Sequence, residues 1–556
     1  MSTATIESPR KVTLVTAFYP IKSKFPTEQY LKWARNFMKI QAPIVMFTTP
    51  ELARAFKQLR NDTGPLYMIG VPFEELDAWV LYKDEWIAHH AMDHEKEYHT
   101  PELYAIWAQK AFFVEHAVRL NPYETEYFFW CDIGAFRAET VEKRILERFP
   151  SAAHLSKDSI LLSAINPLTP EDSRLHEDGI RGEFSHVNKI VGGLWGGGKE
   201  GCLRWKSAYE QMLIRYFASG RFAGKDQSVM LSAFLQDPSL ATVARCNILD
   251  IDIWFYLEYL LADIDIPLEA EATYAATQAP QLPVSVSIKG GLGNQMFEIV
   301  SVFAHAKQHG VNPVLLRRKL AEDGREMYWD SVLHRWQHML VDTLPAGLQR
   351  HDERSSTEYT PIPAPPQQGQ YVEGYLQSSK YFGNAATRKE IQLLTRPSAR
   401  ELLRIQHKYK DLLETRDRVV VVHARRTDYL KSQHNIDFHG PLTTAYYNSA
   451  LALIQTKIKD PIYLLVSDDP MYWVQSMAEI PALQTNEFRF LNDEGDVGTL
   501  ALLQQFRTFV LANSTFSWWA AWLAEGPKTV IAPSRWFGPA ATQRYEDIYE
   551  PDWIRI

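Results

Sequence analysis

Short apolar runs that end abruptly in charged or small residues recur along this chain, and segments of helical period fill the intervals. Residues 419–422 are four consecutive valines, the pattern of a strand buried on both faces, and they run into His423, Arg425, Arg426 and Asp428. Tyr127 to Cys131 is all apolar or aromatic and runs into Asp132, Gly134 and Arg137. Residues 11–19 and 44–48 read as strands flanking a helix over 27–39, in which Trp33 and Phe37 fall four apart, so the chain opens on a strand–helix–strand unit. Residues 101–118 predict a helix with proline in its first turn, where a missing N–H costs nothing. Asp226 and Gln227 open another apolar helix, and a strand over 462–466 precedes Asp468. Asn513, Ser514, Thr515 and Ser517 lead a strongly apolar helix whose Trp518, Trp519 and Trp522 read as core.

Alternating strands and helices predict the α/β class. Residues 262–283 lack steady periodicity and hold three prolines, so a linker over 263–283 separates a domain at 1–262 from one at 284–556. The proline-rich stretch 361–370 reads as a stiff surface loop.

A chain of 556 residues exceeds one ordinary core. Its 46% hydrophobic and 23% charged content is that of a soluble globular protein. A net charge of -8 argues against a nucleic-acid partner. Cys131, Cys202 and Cys246 are too few for a disulfide framework and lack metal-ligand spacing, which fits a reducing compartment. Neither a signal peptide nor an apolar stretch of membrane-spanning length is evident, so the expectation is a cytoplasmic protein, or one peripheral at the inner membrane face.

Chemistry concentrates at the predicted strand ends, where open α/β sheets bind ligands. Two adjacent arginines there suit phosphate oxygens, which a guanidinium fork matches. Alternation along a strand points neighbours to opposite sides, so one of Arg425 and Arg426 is expected on a ligand and the other in a structural pair, with Asp428 as partner. His423 is either a satisfied core histidine or a group that orients the first arginine. The segment 513–517 offers helix caps or a phosphate-binding helix start. Gly290-Gly291-Leu-Gly293 departs from the dinucleotide spacing; it is either a tight strand-to-helix turn or a close backbone approach to ligand, with Asn294 and Gln295 offering amides. Asp468 is assigned to the nucleotide's base or ribose. In the first half, Asp132 is the strongest single candidate, Lys110 is a phosphate contact or a solvated lysine, and the glycines around Trp195, Gly193 among them, suggest a backbone passing close to something.

Taken in order, GGLGNQ at 290–295, GYLQ at 374–377, HARRTD at 423–428, SDD at 467–469 and NSTFSWW at 513–519 resemble the alpha-1,2-fucosyltransferases of glycosyltransferase family 11. That resemblance implies a GT-B-like domain of two Rossmann-like subdomains and inverting, metal-independent transfer from a GDP-fucose donor to a sugar hydroxyl. It places Arg425, Arg426 and Asn294 in catalysis, with His423, Asp428, Gly291, Gly293, Gln295, Asp468, Asn513, Ser514, Thr515 and Ser517 around the donor. The series IWAQK, FFWCDIGAFR, GGLWGG and KDQS resembles the HtrL/YibB-type family, which implies a GT-A-like nucleotide-sugar domain with Lys110, Asp132, Gly134, Arg137, Gly193, Trp195, Asp226 and Gln227 as its candidate site. In GT-A enzymes an aspartate pair holds a divalent ion. Here Gly134 fills the second position, so Asp132 stands as a lone acidic ligand for Mn²⁺ or Mg²⁺. The expectation is a bifunctional glycosyltransferase acting on an oligosaccharide or glycan acceptor, a lipid-linked one included. The rival is one fucosyltransferase with a non-catalytic glycan-binding first half.

Overall fold

The computed structural model describes residues 11–556 apart from 62, 139–140, 185–186, 250, 264, 272–281 and 355–356. The chain is of mixed α/β class and divides into two compact units, Met1–Gln278 and Ala279–Ile556.

In the first unit, β1 (Val12–Phe18), β2 (Ile44–Thr48), β3 (Leu66–Gly70), β4 (Tyr127–Cys131), β5 (Ile160–Ser163), β6 (Leu194–Gly198) and β7 (Ala241–Ala244) form one sheet in the order β3-β2-β1-β4-β6-β5-β7. Strands β1 to β4 run parallel, while β6 is antiparallel to both of its neighbours. Helix α1 (Thr27–Phe37) joins β1 to β2. Helix α2 (Pro101–Leu120), with Pro101 in its first turn and the Thr100 hydroxyl accepting from the Leu103 N–H at 3.3 Å, leads into β4. The chain moves outward from β1 through β2 and β3, then returns with β4 on the other side of β1. That reversal leaves a crevice beyond the carboxyl ends of β1 and β4, between helices that leave the sheet in opposite directions.

The glycines after Trp195 serve the sheet itself. A Cβ on Gly196 would lie 2.3 Å from the Phe128 carbonyl and 2.5 Å from Phe129 Cα, so β6 admits no side chain there. Trp195 is 1% exposed and packs against Trp205, so it belongs to the core and not to a ligand site, as the glycine pattern had suggested.

Part of the expected linker belongs to this unit. Ala270 bridges Ala244, the Arg245 N–H donates to the Glu269 carbonyl at 2.7 Å, and the Glu271 N–H donates to the Val243 carbonyl at 2.8 Å. The segment thereby pairs the open edge of β7, which irregular hydrophobicity in the sequence did not reveal. The rest of the expected linker, 272–281, lies outside the described residues.

The second unit has two main parallel sheets. In the first, β8 (Pro283–Val286), β9 (Asn312–Pro313), β10 (Gln349–Asp352) and β11 (Gln370–Glu373) take the order β10-β11-β8-β9. The other consists of β12 (Val419–Ala424), β13 (Ile462–Ser467), β14 (Phe488–Leu491), β15 (Thr508–Val510), β16 (Thr529–Ala532) and β17 (Ile554–Arg555), in the order β14-β13-β12-β15-β16-β17. Strand order reverses between β8 and β11 in one sheet and between β12 and β15 in the other. Helix α3 (Asp226–Gln236) belongs to the first unit, α4 (Leu292–His309) follows β8, and α5 (Thr515–Leu523) follows β15.

Helices α4 and α5 lock the two sheets of this unit together. Phe297 packs at 4.6 and 5.0 Å from Trp518 and Trp519, and the Trp519 indole N–H donates to the Gly293 carbonyl at 2.9 Å. A Cβ on Gly293 would meet the Thr515 backbone at 2.6 Å, so this glycine is needed for helix contact. Each of these fully buried aromatics contributes about 1.5–3 kcal/mol of burial. Among the described residues no helix is long and apolar enough to cross a membrane.

Candidate functional site

In the second unit, the buried valines of β12 deliver His423 and the following arginines to the strand-order reversal. Arg425 is clamped: its Nε and Nη2 donate to the two carboxylate oxygens of Asp428 at 2.9 and 2.8 Å, and Asp468 lies 3.4 Å from Nε. Burial opposes the charge of Asp428, but the bonds from Arg425 outweigh it and hold the carboxyl below its ordinary range. Arg425 is thus the arginine that pairs with Asp428, although the expectation gave that pair to the arginine turned away from ligand. Among the described residues its Nη1 makes no hydrogen bond.

Arg426 takes the structural role. Its guanidinium lies 4.4 Å from the Tyr472 ring and donates to the Leu442 carbonyl at 3.1 Å, which removes it from the ligand-facing set. Asp468 is also committed. It accepts the Arg426 N–H at 2.8 Å, the Thr427 N–H at 3.0 Å and the Thr427 hydroxyl, so it braces the loop after β12 where a base or ribose contact had been expected. His423 is 4% exposed and its Nδ1 has no hydrogen-bond partner, so it is not a satisfied core histidine. Burial, with the Arg425 charge beside it, lowers its pKa to about 4, and the ring is neutral at pH 7.

Other expected donor contacts turn inward. The Asn513 amide donates to the carbonyls of His439 at 2.6 Å and Trp536 at 3.0 Å. Gln295 is fully buried and donates to the carbonyls of Gly290 at 3.0 Å and Glu326 at 2.8 Å. The Ser517 hydroxyl returns to the Ser514 carbonyl at 3.2 Å. Buried amides and hydroxyls must find partners, and in a tight strand-to-helix turn the nearest are backbone carbonyls. These residues brace the turns at the starts of the two helices.

The remaining candidates lie at the two helix starts. Ser514 is the N-cap of α5 and makes no side-chain cap bond. Thr515 donates to Asn294 Oδ1 at 2.8 Å, joining the start of α5 to the start of α4, and Gln377 donates to the same oxygen at 3.0 Å. Gln377 is presented by Leu376, a non-glycine residue in the left-handed region at φ 51°, at a cost of about 1–2 kcal/mol. The Leu376 N–H is pinned to Glu353 at 3.1 Å, and burial pushes the Glu353 carboxyl up to about 7.

Arg325 was missed by sequence reasoning. Its Nη2 stands 3.7 Å from Asp428, and a Cβ on Gly291 would meet its Nη1 at 3.1 Å, so Gly291 leaves room for a second guanidinium. The Asp323-Gly324 turn signal marks a loop there but not where its arginine goes.

The first unit holds a cleft of about 570 Å³ at the reversal between β1 and β4. It brings together Lys110, Asp132, Gly134, Arg137, Gly193, Asp226 and Gln227. Asp132 is not a lone acidic group, because α3 carries Asp226 to the same ammonium. Lys110 Nζ lies 3.3 Å from Asp132 and 3.0 Å from Asp226 and donates to the Gly192 carbonyl at 3.1 Å. It is 6% exposed, so neither the solvated lysine nor the free phosphate contact describes it. Burial works against its charge, but the two carboxylates outweigh that and raise its pKa. The Gln227 amide is tied to the Ile190 carbonyl at 2.7 Å. Arg137 donates to the Gly134 carbonyl at 3.0 Å, and its guanidinium lies 4.6, 5.1 and 5.6 Å from the rings of Trp33, Phe255 and Phe25.

Comparison with known proteins bears on both units. The family model described as Glycosyl transferase family 11 matches residues 262–556, over half of the chain. The chain belongs to glycosyl transferase family 11. Residues 10–256 of this family 11 protein match a second model, described as a bacterial protein of unknown function, HtrL_YibB. It is similar to the O-antigen biosynthesis glycosyltransferase WbnK of Escherichia coli, at 31% identity over 27% of this chain and 48% of that protein. An alpha-1,2-colitosyltransferase of Escherichia coli is 27% identical over 25% of this chain and 47% of its own length. The family 11 chain thus spans about half the length of these two relatives. A galactoside 2-alpha-L-fucosyltransferase of Caenorhabditis elegans is 23% identical over 50% of this chain and 77% of that protein. Among solved structures, POFUT1 in complex with GDP aligns at 15% identity and a TM-score of 0.28, over 46% of this chain and 98% of that one.

The neutral His423 has a measurable consequence. Its folded pKa lies below the unfolded value of 6.5, so the unfolded chain takes up a proton that the fold refuses. The stability tied to this residue is complete above pH 6.5 and is lost as pH falls toward 4, by about 2–3 kcal/mol at pH 4.5. Urea unfolding at pH 7 and pH 4.5 should show a smaller drop in His423→Gln than in the unsubstituted protein. Equal drops would place the acid sensitivity elsewhere.

Proposed function

We propose that residues 279–556 transfer fucose from GDP-fucose to a sugar hydroxyl, with inversion and an alpha-1,2 linkage, in a GT-B-like arrangement of the two parallel sheets. The observation that carries this reading is Arg425, clamped by Asp428 and Asp468 at the carboxyl end of β12 beside the strand-order reversal. The family and the fucosyl- and colitosyltransferase relatives support the substrate class.

In an inverting displacement the acceptor oxygen attacks the anomeric carbon as the bond to the β-phosphate breaks. Negative charge grows on the departing diphosphate. A guanidinium already fixed by two carboxylates, with the uncapped start of α5 nearby, stabilises that charge without reorganising. In this reading Asn294, held between Thr515 and Gln377, meets the reacting sugar. This chemistry requires no divalent ion. GDP titrated calorimetrically should bind with the same affinity in the presence of a chelator. Arg425→Ala should lower turnover about a thousandfold while circular dichroism stays unchanged. Arg425→Lys should recover little of it, because a point charge cannot reproduce the fork. Near-normal turnover in a folded Arg425→Ala protein would overturn the assignment.

The cleft of the first unit favours a second transferase site, GT-A-like in kind, over a glycan-binding module. A buried ammonium paired with two carboxylates at a strand-order reversal is costly to maintain for adhesion alone. The chain would then add two sugars to one growing glycan. Asp132→Asn should abolish the first unit's transfer, screened with a panel of nucleotide sugars, and leave fucosyl transfer to a supplied acceptor unchanged. Retention of both activities would make Asp132 a structural residue and favour the binding module.

A further inference from the structure

The resemblance of the first unit to GT-A enzymes implies a divalent ion on Asp132. The residues around it do not fit one. A hard cation such as Mg²⁺ or Mn²⁺ wants oxygen ligands at about 2.1 Å in near-octahedral array. Asp132 Oδ1 already takes the Trp130 indole N–H at 2.7 Å and the Lys110 ammonium at 3.3 Å. Asp226, the other carboxylate in reach, is 7% exposed and lies on the same ammonium at 3.0 Å. Among the described residues no group of three or more His, Cys, Asp or Glu converges in a way that could hold a metal.

The geometry around Lys110 is complete in itself. An ammonium has three N–H bonds. Here one goes to the Gly192 carbonyl at 3.1 Å, and the carboxylates of Asp132 and Asp226 stand at ion-pair distance, 3.3 and 3.0 Å from the nitrogen. The two adjacent glycines shape the pocket on the carboxylate side. A Cβ on Gly193 would stand 2.7 Å from Asp132 Oδ2, and one on Gly192 would stand 2.9 Å from Asp226 Oδ2. The GG pair of the sequence therefore makes room for both carboxylates to close on one buried cation. Asp132 keeps a side chain that is 44% exposed, and its Oδ2 takes neither the indole nor the ammonium bond.

We propose that the Lys110 ammonium is the resident cation of this cleft: it stands between Asp132 and Asp226 where a divalent ion would bridge them, and so holds Asp132 with one oxygen turned out to accept a hydrogen bond from a ligand hydroxyl. Lys110 is thus a positioning residue that acts through Asp132. The part given to the outward oxygen rests on reading this unit as a second transferase. The placement of the cation does not, and it is tested without any activity.

The test uses the full chain with Mn²⁺ alone as probe, read from the loss of the free-ion electron paramagnetic resonance signal. The unsubstituted protein should show no Mn²⁺ binding that depends on Asp132. Lys110→Met frees two carboxylates facing one gap and should gain one bound Mn²⁺, which Lys110→Met/Asp132→Asn loses again. Lys110→Arg keeps a cation and should gain none. Stoichiometric Mn²⁺ binding by the unsubstituted protein, abolished in Asp132→Asn, would overturn the proposal. Should Lys110→Met fold poorly, the charge-balanced Lys110→Met/Asp226→Asn protein decides the matter: it should melt several degrees above Lys110→Met, and an equal or lower melting temperature would show that Lys110 does not neutralise Asp226. Absence of transferase activity in the first unit would refute the function proposed for it but alter none of these outcomes.

Discussion

A parallel strand buried on both faces has nowhere along its length to place a polar side chain, so its chemistry collects at the ends. The valine run of β12 and the aromatic run of β4 obey that constraint, and the three larger sheets each hold a reversal of strand order, between β1 and β4, β8 and β11, and β12 and β15. A reversal sends successive helices to opposite sides and opens a crevice at the carboxyl ends. Asp132 follows β4, the Lys289–Glu373 ion pair at 2.8 Å joins the ends of β8 and β11, and Arg425 follows β12. The sites are thus consequences of topology, and the local sequence decides only what each crevice binds.

The two principal cations show how burial divides similar residues between roles. Arg425 spends one edge of its fork on Asp428 and keeps the other, so it is held in place and still able to meet a ligand. Lys110 donates to the Gly192 carbonyl, stands within 3.3 Å of two carboxylates and is nearly buried, so it organises its neighbours. Burial separates the two, where charge alone would not. Arg426 falls on the organising side as well, turned onto Tyr472.

The strands and helices that were legible in the sequence are those with strong local patterns. The valine run of β12, the aromatic run of β4 and the proline-led α2 form where periodicity places them. The residues at their ends were legible as a set, since strand ends concentrate polar groups. Their individual roles were not. Asn513, Gln295 and Asp468 look identical in sequence to ligand contacts, but each satisfies a buried carbonyl or N–H group whose position only the tertiary structure fixes. Asp226 joins Asp132, and Arg325 joins Asp428, from 94 and about 100 residues away, and no local pattern encodes such meetings. The glycines around Trp195 misled for a related reason, because a glycine that admits a neighbouring strand reads the same as one that admits a ligand.

The most direct test of this account is a crystal structure of the chain with GDP bound. The account places the diphosphate between the ends of β12 and β15, within hydrogen-bond reach of Arg425 Nη1 and the first turn of α5, with the Arg425–Asp428 pair intact. A diphosphate seated instead between β8 and β11, or bound with Arg425 turned away, would contradict it.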